Sequence, residues 1–350
     1  MSRRLRIAHV TPVATAVPPP LSGSIETMAS LLTEGLVARG HQVTLFAPGT
    51  SRTSAELRAT FPRGYREEPS MWPWELCEMF NLSRAFESAG TFDLIHCQSE
   101  YAPYSLAFGP LVSTPVLHTV HHSPTPDEVA IWRTYPDAPF VALSEQQAQR
   151  LTGLDVAAVI PHGLDMSRFV FRAQPEDYLL FLGRFIESKG VVLAIEAARR
   201  TGHRLLLAAQ ENDYYRQVVA PLVDGDRVVY VGEVGHDEKV ALVGGARALV
   251  YPVQSAEPFG LVLTEALACG TPVAAFDTGA VREVVDDGVT GGVFTSLEAL
   301  VAGLPQVLAL DRAVVRAVAV ERFSADRMID AYVAAYIALV DAHAARPRTA

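Results

Sequence analysis

Short apolar runs alternate with longer segments of helical periodicity from one end of the chain to the other. The runs are continuous in Val, Ile, Leu and Ala, which is typical of parallel strands that are buried on both faces. This order predicts an α/β protein whose parallel sheets carry helices on both faces. Strands are predicted over residues 6–11, 42–47, 93–97, 115–119, 140–143 and 157–160, and then over 178–182, 204–208, 228–231, 249–251 and 271–275.

Capping residues mark several of the predicted helix boundaries. A helix predicted over residues 25–39 is followed by Gly40, which suits the C′ position. Ser144 is a good N-cap for a helix over residues 145–151. Later helices are predicted over residues 297–308 and 323–340.

The length of the chain and one break in its pattern predict two domains. A chain of 350 residues suits two domains that each have a core of their own. Periodicity is lost between Pro161 and Glu176, where turn-forming and polar residues dominate. We therefore expect an N-terminal domain over residues 1–165 and a C-terminal domain over residues 170–323.

Composition and charge exclude several classes of protein. A net charge of −10 and a pI of about 5.5 argue against a nucleic-acid-binding surface. The sequence has no run of 18 consecutive apolar residues, so no transmembrane helix is predicted. The apolar run after Arg6 is interrupted by His9 and Pro12, which favours a first strand over a signal peptide. The three cysteines are widely spaced, so we expect a reducing, cytoplasmic location and no structural metal.

The most informative stretch is EPFGLVLTEALACGTPV, which runs from Glu257 to Val273 between two predicted strands. In a β-α-β unit, ligands bind outside the carboxyl ends of the strands, where the helix N-terminus offers unpaired N–H groups to an anion. Gly260 lets the backbone approach a phosphate, while Glu257 and Glu265 can accept hydrogen bonds from hydroxyls. The pattern indicates a phosphate flanked by two polyols, as in a nucleotide-sugar.

Two cations follow the first predicted strand of the second half, in the segment GRFIESKG. Arg184 and Lys189 at the carboxyl end of a strand suit a diphosphate. Among 29 Lys and Arg residues only Lys189 and Lys239 are lysines, so a lysine kept at this position indicates a need for a compact point charge.

These two stretches resemble the E-x-F-G-x-x-x-x-E and G-R-x(4)-K-G signatures of the retaining glycosyltransferases of family 4, which adopt the GT-B fold. The resemblance implies two Rossmann-like domains that face each other across a cleft. It also implies that a last helix, over about residues 324–342, packs back on the first domain.

The resemblance assigns the donor-binding residues of the second domain. Arg184 and Lys189 would bind the pyrophosphate, Glu257 would position the 3- and 4-hydroxyls of the sugar, and Glu265 would bind the ribose hydroxyls. Backbone N–H groups that contact phosphate or sugar would come from Phe259, Gly260 and Leu261. The base would be read by the backbone of the loop that contains Val234, whose side chains do not distinguish uracil from guanine.

In the first domain the resemblance assigns one loop and one histidine. The family's usual Gly-Gly pair before the first helix is reduced here to Gly23, which is followed by Ser24, whose hydroxyl can donate in place of the backbone. His121 matches the T-x-H pattern and would hydrogen-bond the 6-hydroxyl of the sugar or the departing phosphate, without acting as a base. For His118 and His122 we expect structural roles.

One aromatic cluster admits two interpretations. Trp72, Trp74 and Phe80 fall within ten residues of each other, so they form either the core face of an amphipathic helix or a wall of the acceptor pocket that could touch a membrane.

Taken together, the sequence predicts a metal-independent, retaining hexosyltransferase without cofactors. A UDP-sugar is the favoured donor and GDP-mannose the alternative, with a small-molecule acceptor such as a natural product. The alternative acceptor is a lipid or a cell-envelope precursor. Alternative functions are a nucleotide-sugar epimerase, a phosphorylase and a non-enzymatic nucleotide-sugar-binding protein. A phosphorylase would need a lysine that binds pyridoxal phosphate, and neither lysine has a convincing context for it. No nucleic-acid partner is expected, and contact with a membrane surface and the oligomeric state are left open.

Overall fold

The structure is a computed structural model that describes residues 3–68, 70–71, 73–98 and 102–345. Trp72, one member of the predicted aromatic cluster, lies outside the described residues. The chain forms two compact units, one made of Met1–Gly163 with Ala325–Ala350 and the other of Leu164–Ser324.

The strands of the described residues occur in two sheets, and all of them except β3 and β13 overlap predicted runs. They are β1 Arg6–Val10, β2 Gln42–Phe46, β3 Glu56–Arg58, β4 Leu94–Cys97, β5 Val116–Thr119, β6 Pro139–Ala142, β7 Asp155–Val159, β8 Leu179–Leu182, β9 Leu205–Ala208, β10 Val228–Gly232, β11 Ala248–Tyr251, β12 Val273–Phe276 and β13 Gly291–Phe294.

The helices lie mostly between successive strands. They are α1 Ser24–Ala38, α2 Trp74–Glu87, α3 Ala102–Phe108, α4 Pro126–Trp132, α5 Glu145–Arg150, α6 Val191–Thr201, α7 His236–Gly245, α8 Leu261–Ala268, α9 Val281–Val284, α10 Leu297–Leu308, α11 Arg312–Arg322 and α12 Ala325–Ala345.

The first unit contains a parallel sheet of seven strands in the order β3-β2-β1-β4-β5-β6-β7. The order reverses between β1 and β4, and a ligand crevice of an open α/β sheet opens at such a switch point, outside the carboxyl ends of the strands. His9 lies near the end of β1, and Gln98 follows β4 directly.

The second unit contains a parallel sheet of six strands in the order β10-β9-β8-β11-β12-β13. Here the switch point lies between β8 and β11. The segments GRFIESKG and VQSAEPFG follow these two strands, so the topology brings the predicted cation and carboxylate segments to the same edge of the sheet.

Continuous apolar strands fill the cores because helices cover both faces of each sheet. Leu179, Leu180 and Phe181 of β8 are fully buried, as are Leu249 and Val250 of β11. The predicted α/β class with parallel sheets is confirmed, and the alternation of strand and helix along the chain was the signal that carried it.

Two of the predicted caps are confirmed in detail. The Ser144 hydroxyl accepts a hydrogen bond from the backbone N–H of Gln147 at 3.1 Å, as an N-cap does. Gly40 follows the last turn of α1 with a φ of 84°, a left-handed conformation that glycine adopts without strain.

The helix α2 begins with Trp74 of the aromatic cluster and also carries Phe80, and the acceptor-wall interpretation stays a prediction. It buries Cys77, Leu82 and Phe86 in the first unit, so its core face is formed by residues outside the cluster, and Trp74 is half-buried. Phe80, however, is 47% exposed, so this aromatic ring is on the outer face of the helix.

The last helix, α12, belongs to the first unit, where it packs against α1. Among the described residues it is the one helix with the length and composition that could cross a membrane. It buries one face that includes Tyr332 and Tyr336, and both phenols are hydrogen-bonded inside the unit. These contacts attach its buried face to the first unit.

Candidate active site

A tight turn positions Lys189 at the switch point of the second sheet. Lys189 ends a short 3-10 turn, and Gly190 follows it as the N-cap of α6 with a φ of 76°. A side chain at Gly190 would collide with the carbonyl of Pro252, so glycine lets the turn approach the segment after β11. The backbone N–H of Gln254 donates to the carbonyl of Ser188 at 2.7 Å, which closes the two segments on each other.

Lys189, Tyr251 and Glu257 form a closed triad at this edge. The Lys189 ammonium donates to Glu257 Oε2 at 2.6 Å and to the Tyr251 hydroxyl at 2.7 Å. The Tyr251 hydroxyl in turn donates to the same Oε2 at 2.7 Å. Both bonds therefore converge on one carboxylate oxygen, and the other, Oε1, makes no hydrogen bond within the described part of the chain.

Burial determines the chemistry of this triad. The Glu257 side chain is 8% exposed and the Lys189 side chain 17%, so the opposite charges compensate each other in a poorly solvated place. Burial and the neighbouring Glu257 carboxylate raise the pKa of Tyr251 well above its usual value. The phenol therefore stays protonated, and its O–H donates a hydrogen bond to the carboxylate. Sequence reasoning missed Tyr251, although its place at the end of a strand beside the motif was a usable signal.

The second glutamate of the motif has a lysine of its own. Glu265, in the second turn of α8, accepts from the Lys239 ammonium of α7 at 2.5 Å, and its side chain is 9% exposed. The two lysines of the chain therefore pair with the two glutamates of the motif. The sequence singled out Lys239 only by its rarity, and its pairing with Glu265 follows from the packing of α7 on α8.

The N-terminus of α8 is built around Gly260. This residue has a φ of 90°, and a Cβ there would press on the Leu263 side chain, so the position requires glycine. Leu261 begins the helix, and the buried Phe259 ring packs edge-on against Phe323 with the ring centroids 6.0 Å apart. The motif thus presents backbone N–H groups at the start of a helix, which is a favourable environment for an anion.

Arg184 and Val234 lie on loops of the same unit. Arg184 follows β8 and is exposed, and within the described residues its guanidinium takes part in no ion pair. Val234 lies in the loop between β10 and α7 and is half-buried. The structure thus joins Lys189 to Glu257 directly and gives Glu265 a different partner.

The predicted residues of the first unit occupy two places. Gly23 is the N-cap of α1, and its carbonyl accepts from the backbone N–H of Thr27 at 3.0 Å and from the Thr27 hydroxyl at 2.7 Å. Ser24 begins the helix and is exposed, so its hydroxyl is accessible. His121 follows β5, at the carboxyl edge of the sheet.

His121 is held by a partner that the sequence did not reveal. Its Nε2 lies 3.0 Å from Oε1 of Gln98, and its ring stacks on that of His162 with centroids 5.6 Å apart. Burial, with a smaller contribution from His162 and His122, lowers the pKa of His121 well below its usual value. A ring that stays neutral is suited to hydrogen bonding and is a weak base.

The neighbouring histidines have protein partners. His118 is buried with its Nδ1 2.9 Å from the Ser105 hydroxyl, and His122 Nε2 lies 2.9 Å from Glu128 Oε1. Within the described residues no group of three or more His, Cys, Asp or Glu side chains is arranged to hold a metal ion.

Two family models match consecutive parts of the chain. The model described as Glycosyltransferase Family 4 matches residues 25–168, and the model described as Glycosyl transferases group 1 matches residues 166–319. The chain is 26% identical to a phosphatidyl-myo-inositol mannosyltransferase of Mycobacterium tuberculosis over 324 residues, covering 82% of each protein.

Solved structures share the fold over nearly the whole chain. AviGT4, a glycosyltransferase involved in avilamycin A biosynthesis, superposes with a TM-score of 0.73 at 24% identity, covering 97% of this chain and 98% of its own. Anabaena Alr3699/HepE, solved in complex with UDP and glucose, superposes with a TM-score of 0.70 at 16% identity, covering 96% of this chain and 100% of its own. These neighbours confirm the predicted GT-B fold.

Proposed function

Because the chain belongs to the family 4 glycosyltransferases of the GT-B fold, we propose that it moves a hexosyl unit from a nucleoside-diphosphate sugar to a small-molecule acceptor, with retention at the anomeric carbon. The observation that carries this proposal is the Lys189–Tyr251–Glu257 triad at the switch point of the second sheet. In our proposal the unit Leu164–Ser324 binds the donor, and the unit formed by Met1–Gly163 with Ala325–Ala350 binds the acceptor.

In this proposal two cations stabilise the negative charge of the leaving group. As the bond between the anomeric carbon and the phosphate oxygen breaks, Lys189 and the exposed Arg184 stabilise the negative charge that develops on the diphosphate. The acceptor oxygen bonds to the anomeric carbon from the same face, and its proton passes to the departing phosphate oxygen. Backbone N–H groups at Gly260 and Leu261 add to the anion site.

Glu257 holds the sugar in this scheme. Lys189 and Tyr251 direct Oε2 inward, which leaves Oε1 to accept from the hydroxyls of the sugar. Since the ammonium also neutralises the carboxylate, Glu257 does not repel the incoming diphosphate. The triad therefore couples sugar positioning to charge compensation at the diphosphate.

Glu265 is assigned to the nucleoside. Its carboxylate would accept from the ribose hydroxyls, while the hydrogen bond from Lys239 keeps it oriented. A UDP-sugar is our favoured donor. GDP-mannose stays the alternative, because the loop that contains Val234 offers backbone groups that can read either base.

The acceptor is proposed as a small molecule, with a lipid as the second candidate. The second candidate is favoured by the similarity to the phosphatidyl-myo-inositol mannosyltransferase of Mycobacterium tuberculosis. We further propose that the enzyme acts in the cytoplasm and needs no divalent metal, since protein cations occupy the expected place of one.

A donor panel tests the proposal directly. UDP, GDP, ADP and TDP, each alone and as the sugar conjugate, are compared by thermal shift, and the best binder is then assayed for hydrolysis and transfer. The anomeric proton coupling of the product, measured by NMR, gives the stereochemistry. Loss of transfer by a factor of about one hundred in Arg184→Ala, with unchanged transfer in the control Arg200→Ala, is the expected result.

Three outcomes would contradict the proposal. Inverted product would refute retention, and free nucleotide without transfer to any acceptor would favour the epimerase. Equal activity of Arg184→Ala and of the control, whose arginine is paired with Glu298 on the surface of the same unit, would refute the diphosphate assignment.

A further inference from the structure

A file of four polar side chains runs through the first unit and ends at His121. Thr33 Oγ1 of α1 lies 2.7 Å from His9 Nδ1, and His9 Nε2 lies 2.5 Å from Gln98 Nε2. Gln98 Oε1 then lies 3.0 Å from His121 Nε2. Thr33, His9 and Gln98 are nearly inaccessible to water, with exposed fractions of 0%, 0% and 2%.

With its nitrogen placed toward His9 and its oxygen toward His121, as in the structure, the amide of Gln98 determines the direction of every bond in this file. Its nitrogen can only donate, so His9 Nε2 must accept, and the proton of His9 lies on Nδ1 and is donated to the Thr33 hydroxyl. Its oxygen can only accept, so His121 must carry a proton on Nε2. Each end of one amide thus selects a tautomer, and the two selected tautomers differ.

The rings of His9 and His121 are both neutral, so each ring has a single protonated nitrogen and therefore one defined tautomer. Burial lowers the pKa of His9 to about 3, and the pKa of His121 also lies well below its usual value. A neutral imidazole has one donor and one acceptor. Because His121 donates through Nε2, its Nδ1 carries the lone pair, and no described residue donates to that nitrogen.

The file is also mechanically constrained. The ring of His9 lies parallel to that of His96 at a centroid distance of 5.1 Å, and His96 is itself held through both nitrogens by Thr119 and Tyr336. Rotation of His9 away from Gln98 would break this stack. The amide therefore has a partner of fixed position on its buried side.

We propose that Gln98 is a positioning residue that sets His121 as a hydrogen-bond acceptor, so that the ligand group bound at Nδ1 is a hydroxyl and not a phosphate oxygen. The effect of Gln98 on transfer rests on the proposed function, because in that function the hydroxyl bound by His121 belongs to the sugar and the excluded group is the departing phosphate. The tautomers themselves are a property of the free protein.

Nitrogen NMR of the full chain tests the tautomers without any turnover. In ¹⁵N-histidine-labelled protein at neutral pH, long-range ¹H–¹⁵N correlations distinguish protonated from unprotonated ring nitrogens. The expected result is protonated Nδ1 in His9 and protonated Nε2 in His121. Protonated Nε2 in His9 together with protonated Nδ1 in His121 would mean that the amide is reversed, and would overturn the proposal.

A pair of variants tests the consequence for transfer. Gln98→Met keeps the side-chain length and removes both hydrogen bonds, and Ser105→Ala removes the partner of another buried histidine, His118, as the matched control. We expect Gln98→Met to mix the tautomers of His121 and to lower kcat/KM for the donor by about tenfold, the value of one hydrogen bond. The affinity for free nucleoside diphosphate should not change, since the sugar is absent from it.

The two failures are distinguishable. If no donor is turned over by the wild type, the proposed function fails while the tautomer assignment is still decided by NMR. If transfer occurs and Gln98→Met matches Ser105→Ala in kcat/KM, or Gln98→Met weakens nucleotide affinity equally, the positioning role is refuted. If Gln98→Met does not fold, the wild-type spectrum alone confirms or overturns the tautomer pattern.

Discussion

Replacing Lys189 with Met should destabilise the second unit through the uncompensated charge of Glu257. Removal of one partner from a buried ion pair costs about 3–5 kcal/mol. Lys189 is partly solvated, with 17% of its side chain exposed, and Glu257 keeps the hydrogen bond from Tyr251 at 2.7 Å. We therefore expect a cost at or just below the lower limit of that range, about 2–3 kcal/mol.

A double-mutant cycle separates the pair from the rest of the site. Lys189→Met combined with Glu257→Gln removes both charges, so the double variant should be more stable than Lys189→Met and the coupling should be about 2 kcal/mol. The exposed pair Arg200–Glu298, at 3.4 Å, is the matched control, with an expected coupling below about 0.5 kcal/mol.

The assay has to report on the second unit alone. The three tryptophans of the sequence all precede residue 133, so tryptophan fluorescence follows the first unit. Peptide-resolved hydrogen exchange of β8 and β11 against urea gives the free energy of unfolding of the second unit, and the fluorescence midpoint is the internal control. A coupling no larger than that of Arg200–Glu298 would refute our account of the triad.

Three further predictions follow from the site and from the buried histidines. Glu265→Gln should weaken the binding of free nucleoside diphosphate by about 1–3 kcal/mol, whereas Glu257→Gln should spare it and impair transfer, and calorimetry showing the reverse would exchange the two roles. EDTA should leave transfer intact, and loss of activity that Mg²⁺ or Mn²⁺ restores would contradict a metal-free mechanism. Burial lowers the pKa values of His9 and His118 to about 3 and that of His162 to about 4, so the unfolded chain binds protons that the folded chain excludes. Stability of the first unit should be full above pH 6.5 and fall below it, by up to about 1.4 kcal/mol per histidine per pH unit, and a urea midpoint that is flat from pH 6.5 to 4.5 would refute this.

Local patterns in the sequence determined most of the architecture. Continuous apolar runs are read as buried parallel strands because both faces of such a strand must avoid water, and β8 and β11 lie within one or two residues of their predicted ranges. Ser144 and Gly40 marked helix ends because their capping roles depend on a few neighbouring backbone groups.

Elements stabilised by distant contacts escaped sequence reasoning. The strand β13 begins with Gly291 and Gly292, which have low strand propensity, and is held by its register with β12. The helix α11 begins at Arg312, whose buried guanidinium donates to the carbonyls of Arg172, Gly244 and Ala246. A local sequence pattern cannot predict this helix start, because the carbonyls that bind Arg312 come from separate segments of the chain.

The same distinction applies to the candidate site. The motif residues Glu257 and Glu265 could be chosen from the sequence because their spacing around a helix start is local. Which lysine pairs with which glutamate was decided by the sheet order and by the packing of α7 on α8. Gln98 became part of the site only through β1, β4 and β5 lying side by side, since hydrogen-bond direction depends on atoms that are adjacent in space and remote in sequence.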